Sequence, residues 1–209
     1  MKRILLVLMM LMLLTAAVCA DDLSDIHEAG VLRFGVSPDH FPFSFYDKND
    51  ELTGIDVKLM ESVAELMGVS LEIVDVASEG LIESLQSGQT DVIGGAFSKT
   101  ESRKLTLDFS RIYYSSGAVF VSRNSLKTAE PLTAESFSGM KIGVQKNTGF
   151  EEWLTVDFLE KGTITKKDIY TYQTVSDAMR ALNQGKIDLV MMDANVFLSN
   201  YGDDPDYQS

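Results

Sequence analysis

The stretch Leu85-Gln86-Ser87-Gly88-Gln89-Thr90-Asp91-Val92-Ile93 has a counterpart later in the chain, Leu182-Asn183-Gln184-Gly185-Lys186-Ile187-Asp188-Leu189-Val190. The two stretches share the spacing of a leucine, a glycine, an aspartate and an apolar pair. A glycine after an amphipathic run is a common left-handed end of a helix, and an apolar run that follows it indicates a strand. The repeated order of helix, glycine and strand therefore predicts two similar α/β units.

Further strands and helices extend this pattern in both directions. Leu32–Ser37 and Met140–Gln145 have the same strand-like arrangement of apolar residues, and each precedes one of the repeated stretches. In the first unit, apolar residues recur at helical spacing from Ile55 until Gly68, and Leu71–Val74 follows as a strand. Alternating strands and helices are typical of a parallel sheet covered by helices, so we predict an α/β fold.

The N-terminus has the order of a secretory signal peptide. Lys2 and Arg3 precede the apolar run Ile4–Leu14, which is followed by the small residues of Thr15–Ala20. The apolar run is shorter than a membrane span requires. We therefore predict a signal peptide at residues 1–20 and a mature protein outside the cytoplasm, in the periplasm.

Charge and cysteine content narrow the range of partners. The net charge of −13 repels nucleic acid and anionic lipid surfaces, so we expect no nucleic-acid partner. The single cysteine, Cys19, lies beside the predicted cleavage site, and removal of the signal peptide leaves no disulfide and no cysteine metal site. A lipoprotein-type cut before Cys19 would instead acylate it, although Val18 suits that alternative poorly. We expect no cofactor and no metal.

Four loops are candidates for a binding site, because ligands of open parallel sheets bind beyond the carboxyl ends of the strands. Ser98 with Glu101, and Thr148 with Glu151, have the spacing of a capping box, which predicts a helix N-terminus in each unit. Free backbone N–H groups at such a terminus suit a carboxylate, and Arg103 adds a fork of donors for the same group. The four loops are Ser37–Phe43, Ala96–Arg103, Gln145–Gly149 and Met191–Asp193.

Several motifs in one order resemble a known family. The chain is similar to the extracellular solute-binding proteins of family 3, which serve polar amino-acid ABC transporters, and the resemblance spans nearly the whole mature chain. The motifs that carry it are His40-Phe41-Pro42-Phe43-Ser44-Phe45, Leu52-Thr53-Gly54-Ile55-Asp56, Ser98-Lys99-Thr100-Glu101-Ser102-Arg103, Asp108-Phe109-Ser110, Tyr113-Tyr114, Gly143-Val144-Gln145-Lys146-Asn147-Thr148 and Asp188-Leu189-Val190-Met191-Met192-Asp193.

The resemblance implies a type II periplasmic-binding-protein fold, a hinged Venus flytrap of two lobes. Lobe 1 would comprise residues 21–117 and lobe 2 residues 118–209. The implied function is non-enzymatic: the lobes would close on a polar amino acid and deliver it to the membrane permease of an ABC transporter. We expect a monomer.

The resemblance also assigns roles at the carboxylate end of the ligand. Arg103 would pair with the α-carboxylate of the amino acid, assisted by Ser98 and Thr148. A second interpretation of Arg103 is a surface arginine that pairs with Glu101 or Asp108. Ser98 and Thr148 could likewise act only as helix caps, although capping and ligand binding are compatible.

At the other end of the ligand, Asp193 and the carbonyl group of Ala96 would accept the α-ammonium group. His40 lies where the family usually has an aromatic wall against the ligand. The alternatives are that Asp193 caps the helix Ala194–Asn200 without touching a ligand, and that His40 is a hydrated loop residue.

The C-terminus departs from the family pattern. Family members return to the first lobe after the second and complete it, whereas this sequence stops at Tyr207-Gln208-Ser209. We therefore expect a clamp that lacks its C-terminal closing segment. That absence would leave sheet edges of the first lobe uncovered and would weaken closure.

Two other classes of function stay open. The first is an enzyme, because some relatives of this fold dehydrate cyclic acids, and Glu79 or Asp193 could act as the acid. Against it, only His27 and His40 are available as histidines and no G-x-S-x-G motif occurs. A sensor module of a larger receptor would need a membrane span or a partner chain after Ser209.

Overall fold

The computed structural model describes residues 22–126 and 134–209, so the predicted signal peptide and Cys19 lie outside the described residues. The first half of the chain contains α1 (Asp22–Ala29), β1 (Val31–Val36), β2 (Asp39–His40), β3 (Ser44–Tyr46), β4 (Leu52–Thr53), α2 (Ile55–Met67), β5 (Ser70–Asp75), α3 (Leu81–Gln86) and β6 (Val92–Ile93). The second half contains β7 (Ala118–Arg123), β8 (Ile142–Gln145), α4 (Gly149–Trp153), β9 (Ile169–Tyr172), α5 (Val175–Asn183), β10 (Leu189–Asp193), α6 (Ala194–Tyr201) and β11 (Tyr207–Gln208).

The strands form two main sheets, and the fold is a mixed α/β fold of two lobes. The sheet of the first lobe has the strand order β5-β1-β6, and all its pairs are parallel. The sheet of the second lobe has the order β11-β7-β10-β8-β9. Its strands β8, β9 and β10 are parallel, whereas β7 runs antiparallel to β10 and β11 antiparallel to β7. A short antiparallel ribbon, β2-β3-β4, lies beside the first sheet.

Strand β10 is a continuous run of apolar residues up to Asp193. Val190 and Met192 are buried in one hydrophobic cluster, and Leu189 and Met191 in another. Successive side chains of a strand point to opposite faces, so both faces of this strand are covered. The end of β10, and with it Asp193, is therefore held in a fixed position.

The repeated glycines end helices as the sequence predicts. Gly88 follows α3 with φ of 73°, and Gly185 follows α5 with φ of 70°. Both values lie in the left-handed region that L side chains rarely adopt, while a glycine adopts it without steric cost. Each glycine turns the chain toward the strand that ends at the candidate site.

The repeated aspartates also have a common role. Asp91 accepts a hydrogen bond from the backbone N–H of Arg33 at 2.8 Å, and Asp188 accepts one from the backbone N–H of Lys141 at 2.9 Å. The aspartate thus connects β1 in the first lobe, and the residue before β8 in the second, to the loop before a neighbouring parallel strand. This shared bond gives a structural reason for the aspartate in both repeated stretches.

The two aspartates differ in charge pairing, and this difference predicts a pH dependence of stability. Arg33 Nε lies 3.0 Å from Asp91 Oδ2, and although burial raises the pKa of Asp91, the bonds from Arg33 hold it below the usual value. We expect Asp91→Asn to lower the free energy of unfolding by about 1 kcal/mol at pH 7, because the pair is partly exposed.

The deficit should disappear in acid. A depressed pKa in the folded state stabilises the protein above the unfolded value of about 4, and this contribution is lost as the pH falls through the folded pKa. Urea unfolding of the wild type, Asp91→Asn and the control Asp188→Asn between pH 3 and pH 7 measures the effect. Equal pH dependence of the two variants would contradict the assignment.

Candidate functional site

A cleft with a volume of about 390 Å³ lies between the two lobes. It is lined by the loops that follow β1 and β6 in the first lobe and by those that follow β8 and β10 in the second. These are the four loops that the strand-end rule selects. The segment at 106–117, which connects the lobes and contains neither helix nor strand, lines the same cleft.

All six residues that are predicted to bind the ligand line this cleft: His40, Ala96, Ser98, Arg103, Thr148 and Asp193. Four of them come from the first lobe and two from the second. The structure therefore brings the six together, while their contact with a ligand stays a prediction.

The guanidinium group of Arg103 is fixed by three neighbours. It donates to the carbonyl oxygen of Ser98 at 2.8 Å and, across the cleft, to that of Asn147 at 2.6 Å. It also lies 3.9 Å above the centre of the Phe97 ring, where a cation–π interaction is favourable. Burial lowers the pKa of Arg103, and the charge of Glu152 opposes that shift. A guanidinium stays charged at neutral pH, so the cleft contains a positioned cation.

In the structure, Arg103 is not a surface arginine paired with Glu101 or Asp108. The carboxylate of Glu101 instead pairs with Lys104. Ser102, next to Arg103, donates to Glu152 of the second lobe at 2.8 Å. The Arg103 loop therefore contacts the opposite lobe.

The capping box predicted at Ser98 is wrong, and that at Thr148 is confirmed only in part. Near Ser98 the chain forms only a short 3-10 helix, Arg103–Leu105, and the carbonyl oxygen of Ser98 accepts from Arg103. Thr148 caps α4, because its hydroxyl oxygen accepts from the backbone N–H of Glu151 at 3.4 Å. The Glu151 carboxylate then bonds the N–H of Asn147 rather than that of the cap residue.

Gly149 allows the lobes to approach each other closely. A β-carbon added at Gly149 would lie 2.7 Å from Cβ and 2.9 Å from Oγ of Ser98 in the opposite lobe. Both distances are shorter than van der Waals contact permits, so one of the two backbones would have to move. The sequence places Gly149 at the end of a candidate loop, but it does not reveal this contact with the opposite lobe.

We expect Gly149→Ala to weaken ligand binding about tenfold, because relief of the overlap with Ser98 separates the lobes and lowers the population of the closed state. The melting temperature without ligand should change little. Gly117→Ala is a matched control, since a β-carbon there meets no atom within 4 Å. Calorimetric titration of both variants measures the effect. Unchanged affinity in Gly149→Ala would show that this contact does not limit closure.

Asp193 is a helix cap and a cleft residue at once. Its Oδ1 atom accepts from the backbone N–H groups of Asn195 at 2.8 Å and of Val196 at 3.1 Å, at the start of α6. The hydroxyl group of Tyr114 donates to the same oxygen at 3.3 Å. The capping interpretation is therefore confirmed, and it is compatible with a contact between the carboxylate and a ligand in the cleft.

His40 is partly buried in a group of carboxylates. Burial lowers its pKa, whereas the negative charges of Asp39, Asp193 and Asp56 oppose that shift. The ring centroid lies 6.2 Å from that of Phe43. His40 thus presents an aromatic surface to the cleft at a point where negative charge collects.

Asp39 and Gln145 form a further bridge between the lobes, which the sequence does not reveal. Gln145 Nε2 donates to Asp39 Oδ2 at 2.9 Å and to the carbonyl oxygen of Gln173 at 3.0 Å. Ser37 and Ser78 donate to the other Asp39 oxygen at 2.7 and 3.2 Å. The bridge holds a carboxylate at the cleft wall in a fixed orientation.

The described residues contain neither a group of metal ligands nor a helix that could span a membrane. Within 22–126 and 134–209, no three or more histidine, cysteine, aspartate or glutamate side chains are grouped in a way that could hold a metal ion. The helices of the same residues include none with the length and apolar character of a membrane span.

Comparison with known proteins identifies the family of this chain. Residues 32–168 match the family model of the bacterial extracellular solute-binding proteins, family 3. The chain belongs to this family. It is 30% identical over 182 residues to a probable histidine-binding protein of Campylobacter jejuni, which covers 85% of the chain and 66% of that protein. It is also 30% identical over 172 residues to the L-cystine-binding protein TcyJ of Escherichia coli K12, covering 82% of the chain and 62% of the relative.

Solved structures of the same kind confirm the two-lobed fold. The holo form of ArgBP from T. maritima superposes with a TM-score of 0.78 at 31% identity, over 88% of this chain and 78% of that one. An ancestral amino-acid-binding protein, AncCDT-1, described as a precursor of cyclohexadienyl dehydratase, gives a TM-score of 0.75 at 28% identity, over 86% and 78%. The chain spans less than two thirds of the length of the two curated relatives from Campylobacter jejuni and Escherichia coli, 66% and 62%.

Proposed function

We propose that this protein captures a polar amino acid between its two lobes, outside the cytoplasm, for an ABC-type import system. The observation that supports this function most directly is the cleft between the lobes, where the first lobe supplies the cation of Arg103 and the second the carboxylate of Asp193. An amino acid is a zwitterion. Opposite charges on opposite lobes therefore bind such a ligand more tightly when the lobes are closed, which stabilises the closed state.

At the carboxylate end, Arg103 offers the charged group. Two of its guanidinium nitrogens are already oriented by the carbonyl oxygens of Ser98 and Asn147, so little side-chain freedom remains to be lost on binding. The Ser98 and Thr148 side chains complete this end in the proposal. Thr148 lies at the start of α4 and adds a hydroxyl group from the second lobe.

At the ammonium end, Asp193 and the carbonyl oxygen of Ala96 accept the α-ammonium group. The Asp193 carboxylate is orientated by the N–H groups at the start of α6 through one oxygen. His40 forms the wall beside the ligand side chain, close to Asp39 and Asp193.

A panel of the twenty proteinogenic amino acids and L-cystine, titrated by calorimetry into the folded chain, tests the proposal. The relatives include a probable histidine-binding protein, an L-cystine-binding protein and an arginine-bound ArgBP, so these three amino acids are the first ligands to measure. We expect at least one amino acid to bind with one site per chain. A folded sample that binds none of them would exclude the function.

A dehydratase is the second candidate, because AncCDT-1 is described as the precursor of such an enzyme. Glu79, one of the acids that the sequence offers, is not among the residues that line the cleft, and the other, Asp193, bonds the N-terminal backbone of α6. We expect no turnover of prephenate by the folded chain. Release of phenylpyruvate above the uncatalysed rate would favour the enzyme instead.

Delivery to a membrane permease, a periplasmic location and a monomeric state complete the proposal. Membership of the bacterial extracellular solute-binding proteins supports the location outside the cytoplasm. The net charge of −13 agrees with a protein that does not bind anionic membrane surfaces or nucleic acid.

A further inference from the structure

Asp56 is a buried carboxylate directly behind the cleft. It is only 2% exposed and is the second residue of α2. Its Oδ2 atom accepts three hydrogen bonds of 2.7 Å each, from the backbone N–H groups of Gly95 and Ala96 and from the hydroxyl group of Tyr113. Three donors from two cleft-lining segments thus converge on one oxygen atom.

The second carboxylate oxygen of Asp56 has a different environment. Oδ1 is buried and has no hydrogen-bond partner among the described residues. A buried charge with an unsatisfied oxygen destabilises a fold, and an apolar residue or a neutral amide would avoid part of that cost. Packing alone therefore does not explain why a charged side chain occupies this position.

The segment that Asp56 holds has an unusual backbone. Gly95 has φ of 99° and Ala96 has φ of 52°, and a left-handed conformation costs an alanine about 1 kcal/mol. Such strain persists where the surroundings fix it, and it is common at ligand sites. Here the surroundings are the two hydrogen bonds to Asp56, which orient the Ala96 peptide at the wall of the cleft.

Tyr113 connects the same carboxylate to the segment that joins the lobes. Burial and the hydrogen bond to Asp56 raise the pKa of the Tyr113 hydroxyl, so it stays protonated and donates at neutral pH. Tyr113 also lines the cleft. The carboxylate therefore joins the ligand loop to the connecting segment.

We propose that Asp56 is a positioning residue for the ammonium end of the ligand site. It holds Gly95 and Ala96 in the left-handed conformation that presents the Ala96 carbonyl group to the α-ammonium, and its charge favours a cation in front of that group. The proposal rests on the proposed function, because it deepens the role of Ala96. A residue of this kind acts through the loop and does not touch the ligand.

Calorimetric titration with two matched compounds tests the role in binding. The probes are the tightest-binding amino acid of L-arginine, L-histidine and L-cystine and the same molecule without its α-ammonium group, for arginine 5-guanidinopentanoate. We expect Asp56→Asn to weaken binding of the amino acid at least tenfold and that of the deaminated compound less than threefold. Tyr113→Phe, which removes one donor and keeps the charge, should weaken amino-acid binding about threefold.

Asp47→Asn is the matched control. Asp47 Oδ1 also accepts two backbone N–H groups, from Asn49 at 2.8 Å and Glu51 at 3.0 Å, but it lies in an exposed turn and does not line the cleft. We expect its affinity for both compounds to stay within twofold of the wild type. Equal losses for the amino acid and the deaminated compound in Asp56→Asn would overturn the proposal, because a general structural role predicts that result.

Amide hydrogen exchange provides a measurement that needs no ligand. The amides of Gly95 and Ala96 should exchange at least tenfold faster in Asp56→Asn than in the wild type, and at the wild-type rate in Asp47→Asn. If Asp56→Asn does not fold, the same measurement on Tyr113→Phe takes its place. We then expect a smaller increase in the exchange rates of the same two amides. Unchanged exchange in a folded variant would overturn the proposal. A folded protein that binds no amino acid of the full panel would refute the proposed function, while the exchange rates would still decide how the loop is held.

Discussion

Replacement of Arg103 by alanine is expected to weaken amino-acid binding by about 2–5 kcal/mol, since truncation leaves the α-carboxylate desolvated and unpaired. The guanidinium also donates to Asn147 across the cleft, so its loss removes a contact of the closed state as well. Calorimetric titration of the variant with the best ligand of the panel measures the effect.

Arg103→Lys should restore only part of the affinity, because an ammonium group is a point donor without the planar fork. Lys104→Ala is the matched control: its charge pairs with Glu101 at the surface, and we expect a change below twofold. An Arg103→Ala protein that binds within threefold of the wild type, about 0.6 kcal/mol, would contradict the assigned role.

Asp193→Asn is expected to weaken amino-acid binding by about 1.5–3 kcal/mol. The carboxylate that accepts a hydrogen bond from the α-ammonium group is replaced by a neutral amide, so the charge-assisted bond is lost. Stability should change much less. Asparagine is as good a helix cap as aspartate, so the bonds to Asn195 and Val196 at the start of α6 can be kept.

Paired melting curves and titrations separate the two roles of Asp193. Asp168→Asn serves as the control, because its carboxylate likewise accepts a local backbone N–H group, that of Thr165, far from the cleft loops. A fall in the melting temperature of Asp193→Asn without a loss of affinity would mean that the residue is a cap and nothing more.

The elements that local sequence patterns describe are predicted well. The repeated order of helix, glycine and strand gives α3, Gly88 and β6, and again α5, Gly185 and β10, because helix ends and buried strands depend on short-range periodicity and on glycine. The antiparallel strand β7 has no such signal. Its direction is set by its pairing with β10, which lies far along the chain.

The residues of the site are predicted where motif and strand end coincide. The capping box at Ser98 fails because spacing alone does not make a helix, and the Glu101 side chain pairs with Lys104. The bridge from Asp39 to Gln145 depends on the approach of two lobes, as does the need for a glycine at position 149. Asp56 stands in a motif that the sequence analysis quotes, yet only the three-dimensional structure shows which groups its carboxylate holds.

A crystal structure of the chain with the amino acid selected by the panel tests the central claim most directly. We predict one ligand in the cleft between the lobes, with its α-carboxylate within about 3 Å of the Arg103 guanidinium. Its α-ammonium group should lie at a similar distance from Asp193 and from the carbonyl oxygen of Ala96. A ligand bound elsewhere, or bound in the cleft with its carboxylate away from Arg103, would contradict the account.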